Sequence, residues 1–192
     1  MQNKIIWLMG GSGSGKSTLA EILRSLGLKV VDADEISKNI MDKGQSAYFE
    51  TIAAFGAGIL LPDGAIDRKK LGEQVFFDSE KLRILNRITH KYIKEQLILR
   101  VGEGTAVIDA ALPPDGFVTP SYLIFVTADK NERVKRIIIR DSISEEHARN
   151  RIASQLSVAE YEKMADVVFC NNGDINELKN RVEKWCKDEK II

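Results

Sequence analysis

Gly10-Gly11-Ser12-Gly13-Ser14-Gly15-Lys16-Ser17-Thr18 decides the reading of this chain. Gly10, Gly15, Lys16 and Ser17 occupy the fixed positions of the pattern G-x-x-x-x-G-K-[ST], a phosphate-binding loop wherever a strand precedes it and a helix follows. Both flanks are present. Lys4-Ile5-Ile6-Trp7-Leu8-Met9 is an apolar run of buried-strand length. Leu19, Ile22, Leu23 and Leu26 then recur at helical spacing, and Gly27 stands where such a helix stops. Small residues let main-chain amides turn inward on a polyphosphate, and the helix opening at Lys16 adds its free N–H groups and positive dipole end. Gly11, Gly13, Ser14, Gly15, Lys16, Ser17 and Thr18 are therefore the expected nucleotide contacts. Lys16 reaches for the outer phosphates and the Ser17 hydroxyl for Mg²⁺.

The rest of the composition narrows the class. A length of 192 residues suits one domain with a small insertion. Lys+Arg and Asp+Glu both number 28, so no net charge draws the chain to nucleic acid or an anionic membrane. No apolar run is long enough to span a bilayer, and no secretory signal is visible. Cys170 and Cys186 have neither metal-ligand nor disulfide-framework spacing. The expectation is a cytoplasmic protein with reduced thiols, a monomer or weak homo-oligomer, with neither a nucleic-acid nor a membrane partner.

Beyond Gly27, Lys29-Val30-Val31 reads as a second strand ending at Asp32-Ala33-Asp34. On extended chain Asp32 and Asp34 point the same way. At the carboxyl end of a strand both are aimed at the phosphate loop. One of the two reads as a base or orienter for an acceptor hydroxyl and the other as an outer ligand of Mg²⁺, while Asp34 reads equally as the cap of the next helix. Helical segments fill residues 41–103: residues 46–55, one capped by Asp67 with Leu71, Val75 and Phe76 on its apolar face, and one from residue 78 or 79 with Leu82, Leu85, Ile88 and Tyr92. That is too long for a simple crossover and implies an inserted helical subdomain. Residues 105–109 read as a third strand ending in Asp109, the shape of a Mg²⁺-supporting carboxylate. Residues 122–126 make the fourth strand and 165–170 the fifth. Between them a helix from Asp129 sets Arg133, Arg136 and Arg140 on one face, ordinarily a solvated row. Ser142-Ile143-Ser144-Glu145 resembles a capping box for a helix running to Gln155, and together these helices read as an arginine-rich lid. Arg140 and Arg151 are the expected clamp on a transferring phosphoryl group. Asn171-Asn172-Gly173 reads as a turn, and Asp174 opens a closing helix with Ile175, Leu178, Val182 and Trp185.

Taken together, these segments resemble the dephospho-coenzyme A kinase family nearly end to end. The shared residues run from the loop through Leu26-Gly27 and Asp32-Ala33-Asp34 to the more particular stretch Phe55-Gly56, Ile59-Leu60, Asp63-Gly64, Asp67-Arg68, Leu71 and Val75-Phe76. They resume with Arg140-Asp141, Ser144-Glu145-Glu146, Ala148-Arg149, Arg151-Ile152 and Gln155, and close with Ala165-Asp166 and Asn171-Asn172-Gly173. The resemblance implies an α/β fold of three layers, like P-loop NTPases and nucleoside-monophosphate kinases. Its five-stranded parallel sheet is flanked by helices, with a core of residues 1–40, 104–139 and 156–192, an acceptor-binding insertion over about 41–103 and a lid over about 140–155. It implies transfer of a phosphoryl group from ATP·Mg²⁺ to the ribose 3′-hydroxyl of dephospho-coenzyme A.

The same resemblance makes Asp34 the base, places Lys16 and Arg140 at the transferred group and Arg151 near the phosphates, and sets Asn172 and Gly173 by the adenine. Asp32, Asp67, Arg68, His90, Asp109 and Asp115 fall to the acceptor. The chain departs from the family twice. Lys91 follows His90 where proline is usual, and Ala110-Ala111-Leu112-Pro113-Pro114-Asp115 replaces a Pro-Leu-Leu-aromatic-Glu run. The second departure leaves open a kinase of the same fold acting on another small hydroxyl or a nucleoside monophosphate. A signalling nucleotide switch lacks support, since no Asn-Lys-x-Asp motif appears.

Overall fold

The computed structural model describes residues 4–114, 116 and 118–192, so Asp115 lies outside the described residues. The chain divides into two compact units, one of residues 1–32 and 101–192, the other Ala33–Arg100.

The first unit is built on five parallel strands: β1 Ile5–Met9, β2 Lys29–Asp32, β3 Ala106–Asp109, β4 Tyr122–Thr127 and β5 Val167–Cys170. Their order across the sheet is β2-β3-β1-β4-β5, with Ile5 opposite Ala106 and Ile6 opposite Tyr122. The two neighbours of β1 leave it in opposite directions, which opens a crevice at the carboxyl end of β1. The loop 10–15 issues from that point and runs into α1 (Lys16–Ser25).

Apolar residues on both strand faces explain the layering. Ile6 and Leu8 of β1, with Ile124 and Val126 of β4, face Leu19 and Leu23 of α1 and Leu178, Val182 and Cys186 of α9 (Ile175–Asp188). Phe125 turns the other way and stacks on Tyr161 of α8 (Val158–Met164), ring centroids 4.7 Å apart. The Trp7 indole donates to Leu112 O (2.8 Å). Burial pushes the Cys186 thiol up to about 11, so it stays protonated as a packing group.

Two further helices, α6 (Lys130–Asp141) and α7 (Glu145–Ala153), form a hairpin between β4 and β5. Here the sequence reading shifts. Ser144, not Ser142, caps α7 by accepting from His147 N–H, because Ser142 is in the left-handed conformation that ends α6 (φ 53°). Helix α7 also stops at Ala153, short of Gln155. At the chain's end Ile175 is 55 % exposed rather than buried, since Cys186 completes the apolar face of α9 instead.

The second unit comprises α2 (Ala33–Asn39), α3 (Ser46–Phe55), a 3₁₀ turn Ala57–Ile59, α4 (Arg68–Phe76) and α5, which starts at Ser79 and ends at Val101. Leu60 bridges Ile66 across the turn at Gly64, and Ile59, Leu71 and Val75 make a small core of their own. That core, with Phe55, Leu60 and Ile66 packed on it, accounts for most of the apolar pattern between residues 55 and 75, while Phe76, expected on the apolar face, is exposed. Asp67 caps α4, accepting from Lys69 N–H (3.0 Å) and Lys70 N–H (3.1 Å). Asp67→Ala is expected to cost about 1 kcal/mol, lowering the unfolding midpoint by about 3 °C in calorimetry. No helix among the described residues is long and apolar enough to cross a membrane.

Candidate functional site

The loop is shaped by glycines that no other residue replaces. Gly15 caps α1 with φ 94°, in the left-handed region, and a Cβ there would lie 1.8 Å from Asn171 Nδ2. Gly13 has φ 75°, and a Cβ there would meet the Arg133 carbonyl oxygen at 2.6 Å, main chain against main chain. Gly13→Ala is therefore expected to cost about 2 kcal/mol through backbone strain. Isothermal titration with ATP should show the affinity loss, and the unfolding midpoint should fall by about 5 °C. Ser14 N–H closes a turn onto Gly11 O (3.1 Å), and the N-cap of α1, Gly15, makes no side-chain cap bond to the helix's first N–H groups. Among the described residues, the Ser14 hydroxyl is the one buried side-chain polar atom without a hydrogen-bond partner.

Lys16 stands at the start of α1, and its ammonium forms an ion pair with the carboxylate of Asp109, the last residue of β3. Asp109 is 7 % exposed and lies in register with Asp32 at the tip of β2. Ser17 is exposed on the first turn of α1 and Thr18 is half-buried beside it. The start of α1 and the tips of β2 and β3 thus bring an ammonium, a hydroxyl and two carboxylates to the carboxyl end of the sheet. These are hard oxygen donors and a cation, the set that suits a Mg²⁺-bound polyphosphate.

Two arginines of α6 turn inward onto the loop. Arg133 Nε donates to Ser12 O (2.9 Å), and Arg136 donates to Gly13 O (3.3 Å) and Asn171 O (2.8 Å). The expected solvated row is thereby corrected, and Arg133 is buried. Val134 and Ile137 pack α6 inward, and its arginines at 133 and 136 flank that apolar stripe. Asn171, directly after β5, donates to Ser14 O (3.2 Å), and the Asn172 side chain accepts from Asp129 N–H (2.7 Å). Gly173 follows, exposed. The turn residues 171–173 are thus tied to the phosphate loop and to the root of α6.

Arg140 and Arg151 meet at Asp141. Arg140 donates to both carboxylate oxygens (2.7 and 2.8 Å) and Arg151 pairs with one. The hydrogen bonds from Arg140, with both positive charges, lower the Asp141 carboxyl to about 2. Because this acid is depressed in the folded state, its pairing is complete above about pH 4 and is lost only as pH falls through about 2.

The second unit carries Asp34, Asp67, Arg68 and His90. Asp34 sits half-buried in the first turn of α2, so the alternation argument that paired it with Asp32 does not apply. The strand ends at Asp32, and the chain turns helical at Ala33. Arg68 donates to Lys38 O, beside a hollow of about 190 Å³ lined by Met41, Asp42, Lys43, Ala65, Ile66 and Arg68. His90 lies on α5, half-buried. Its neighbour Lys91 donates to Glu50 Oε2 (2.9 Å) of α3.

Comparison with known proteins gives this geometry a family. Residues 4–177 match the family described as CoaE, dephospho-CoA kinase. The chain is 41% identical to a dephospho-CoA kinase of Geobacter sulfurreducens, over 95% of this chain and 98% of that one. The chain belongs to the dephospho-CoA kinase family. Among solved structures, the dephospho-CoA kinase from Campylobacter jejuni superposes with a TM-score of 0.64 at 27% identity over 97% of both chains. A Thermus thermophilus protein reaches 0.79 at 26% identity over 98% of both. The five-stranded parallel sheet flanked by helices is the architecture expected of a P-loop kinase.

Within this dephospho-CoA kinase family member, three residues at the loop carry no role in the sequence reading: Arg133, Arg136 and Asn171. Arg133 and Arg136 look like any exposed basic row until the apolar stripe beside them is weighed. Asn171 looks like turn punctuation, and only its place at the tip of β5 hints otherwise.

Proposed function

We propose that this chain transfers the terminal phosphoryl group of ATP to the 3′-hydroxyl of the ribose in dephospho-CoA, the closing reaction of coenzyme A synthesis. The observation that carries it is family membership over residues 4–177. The loop and the Lys16–Asp109 pair supply a fitting site for the donor phosphates.

In the reaction, Asp34 orients the ribose hydroxyl and accepts its proton. The freed oxygen attacks the terminal phosphorus in line, and the bond to the bridging oxygen of ADP breaks. Lys16 and the loop amides hold the charge spread over the moving group. Arg140 and Arg151 leave Asp141 to face it from the lid. Mg²⁺ held by Ser17, supported by Asp109 and Asp32, would supply further charge neutralisation at the outer phosphates. Asn172 and Gly173 lie by the adenine. Arg68, His90 and Asp67 of the insertion serve the acceptor, as does Asp115, which lies outside the described residues. The whole is a single kinase domain with insertion 41–103 and lid 140–155, cytoplasmic, and a monomer or weak homo-oligomer.

The deciding experiment incubates the purified chain with ATP, Mg²⁺ and dephospho-CoA and locates the new phosphate by ³¹P and ¹H NMR. Phosphate on the ribose 3′-oxygen is the expected result. Preferential turnover of a nucleoside monophosphate or another small alcohol would overturn the acceptor assignment.

A further inference from the structure

Ser12 is gripped from both roots of the α6–α7 hairpin. From the start of α6, Arg133 Nε donates to Ser12 O (2.9 Å). From just beyond α7, Gln155 Oε1 accepts from Ser12 N–H (3.0 Å) and Gln155 Nε2 donates to Ser12 Oγ (3.0 Å). Arg133 Nη2 donates to the same Gln155 Oε1 (3.1 Å), which closes the ring. Every polar group of Ser12 is engaged, by two residues that approach from opposite ends of one hairpin.

Arg133 is 7 % exposed, and its guanidinium bonds Ser12 O and Gln155 Oε1, with no ion pair to a carboxylate among the described residues. Its partners are a loop carbonyl and a carboxamide, which bond the cation without cancelling its charge. Burying a cation so is costly unless charge of the other sign comes near. The nearest open chemistry is the loop itself: a Cβ on Gly11 would lie 2.5 Å from Arg133 Nη2 and 2.7 Å from Gln155 Oε1. A polyphosphate in the loop supplies that opposite charge. The hairpin also carries the Arg140–Asp141–Arg151 cluster, so whatever fixes its roots to Ser12 fixes the reach of those arginines.

We propose that Gln155, acting with Arg133, is a positioning residue: the pair locks the Ser12 peptide to the hairpin, so that the phosphate loop and the arginines of the lid are set as one piece for ATP. This rests on the reading that the loop holds ATP, and is independent of the acceptor.

The test compares wild type with Gln155→Met, close in size but without bonding groups, and with Gln155→Glu, which keeps the oxygen shared by Ser12 and Arg133. Calorimetric titration with ATP alone, steady-state kinetics for each substrate and thermal unfolding are read together. Gln155→Met is expected to weaken ATP binding about tenfold, the worth of one net hydrogen bond. The KM for dephospho-CoA should stay within about twofold, as a donor-side defect requires. Gln155→Glu should bind ATP more tightly than Gln155→Met. Ser12→Ala, which loses one bond of the ring, should show a smaller loss of the same kind and serves if Gln155→Met does not fold. Unchanged ATP affinity in these variants would overturn the proposal. So would equal rises in both KM values with a large fall in the unfolding midpoint, the mark of a merely structural residue. Wild type that binds ATP but ignores dephospho-CoA would remove the acceptor assignment and leave this inference standing.

Discussion

Lys16→Ala is expected to lower kcat by about three orders of magnitude at saturating ATP, the scale of losing a fixed cation from a phosphoryl-transfer site. The ammonium is in place before any nucleotide arrives, paired with Asp109 at the tip of β3. Asp109 is buried, so the carboxylate holds the lysine aimed at a cost already met in the fold. Removing Lys16 therefore has two consequences. Turnover falls because the outer phosphates lose their cation. Stability falls too, because a buried carboxylate loses a partner, a change that costs about 3 kcal/mol in comparable pairs. The two are separable. Lys16→Ala with Asp109→Asn should recover much of the unfolding midpoint and none of the turnover. Phosphoryl transfer assayed by coupled ADP release checks the first, and differential scanning calorimetry the second. Turnover above a tenth of wild type in Lys16→Ala would strip the residue of its part in the transfer step.

Asp34→Asn is the second large effect. The substitution keeps size and removes the ability to take a proton, so kcat should fall by about 10² to 10⁴. ATP affinity, which the proposed function assigns to the loop, should hold within about twofold. Asp34 stands in the first turn of α2, where a carboxylate also favours the helix dipole. That electrostatic contribution is about 0.5 kcal/mol, too little to alter turnover by itself. The two readings of Asp34 that the sequence leaves open therefore separate cleanly. Turnover near wild type with a slightly lower unfolding midpoint would make it a helix-end charge and no base.

Local pattern carried much of this fold. The strand–loop–helix around Gly10 to Thr18, the five strand cores and the caps at Asp67 and Asp174 follow from residues within a few positions of one another. What local pattern did not carry is whatever depends on a neighbour far along the chain. Arg133 looks solvated by composition, and only the proximity of Ser12, 121 positions away, explains its burial. Asn171 reaches Ser14 from 157 positions away. Asp32 and Asp34 illustrate the opposite failure. Their spacing suits a strand, but helix begins at Ala33 and changes the period between them.

The central strand has one more consequence. Residues 5–9, with Ile6, Leu8 and Met9 fully buried in the finished sheet, are made well before their hydrogen-bonding partners, which begin at Ala106 and Tyr122. While the intervening chain is made, this greasy segment has no sheet to join, a wait of several seconds at ordinary elongation rates. Completion of the sheet is thus tied to synthesis of β3 and β4, and nascent chains stalled before β4 should be sticky clients for chaperones.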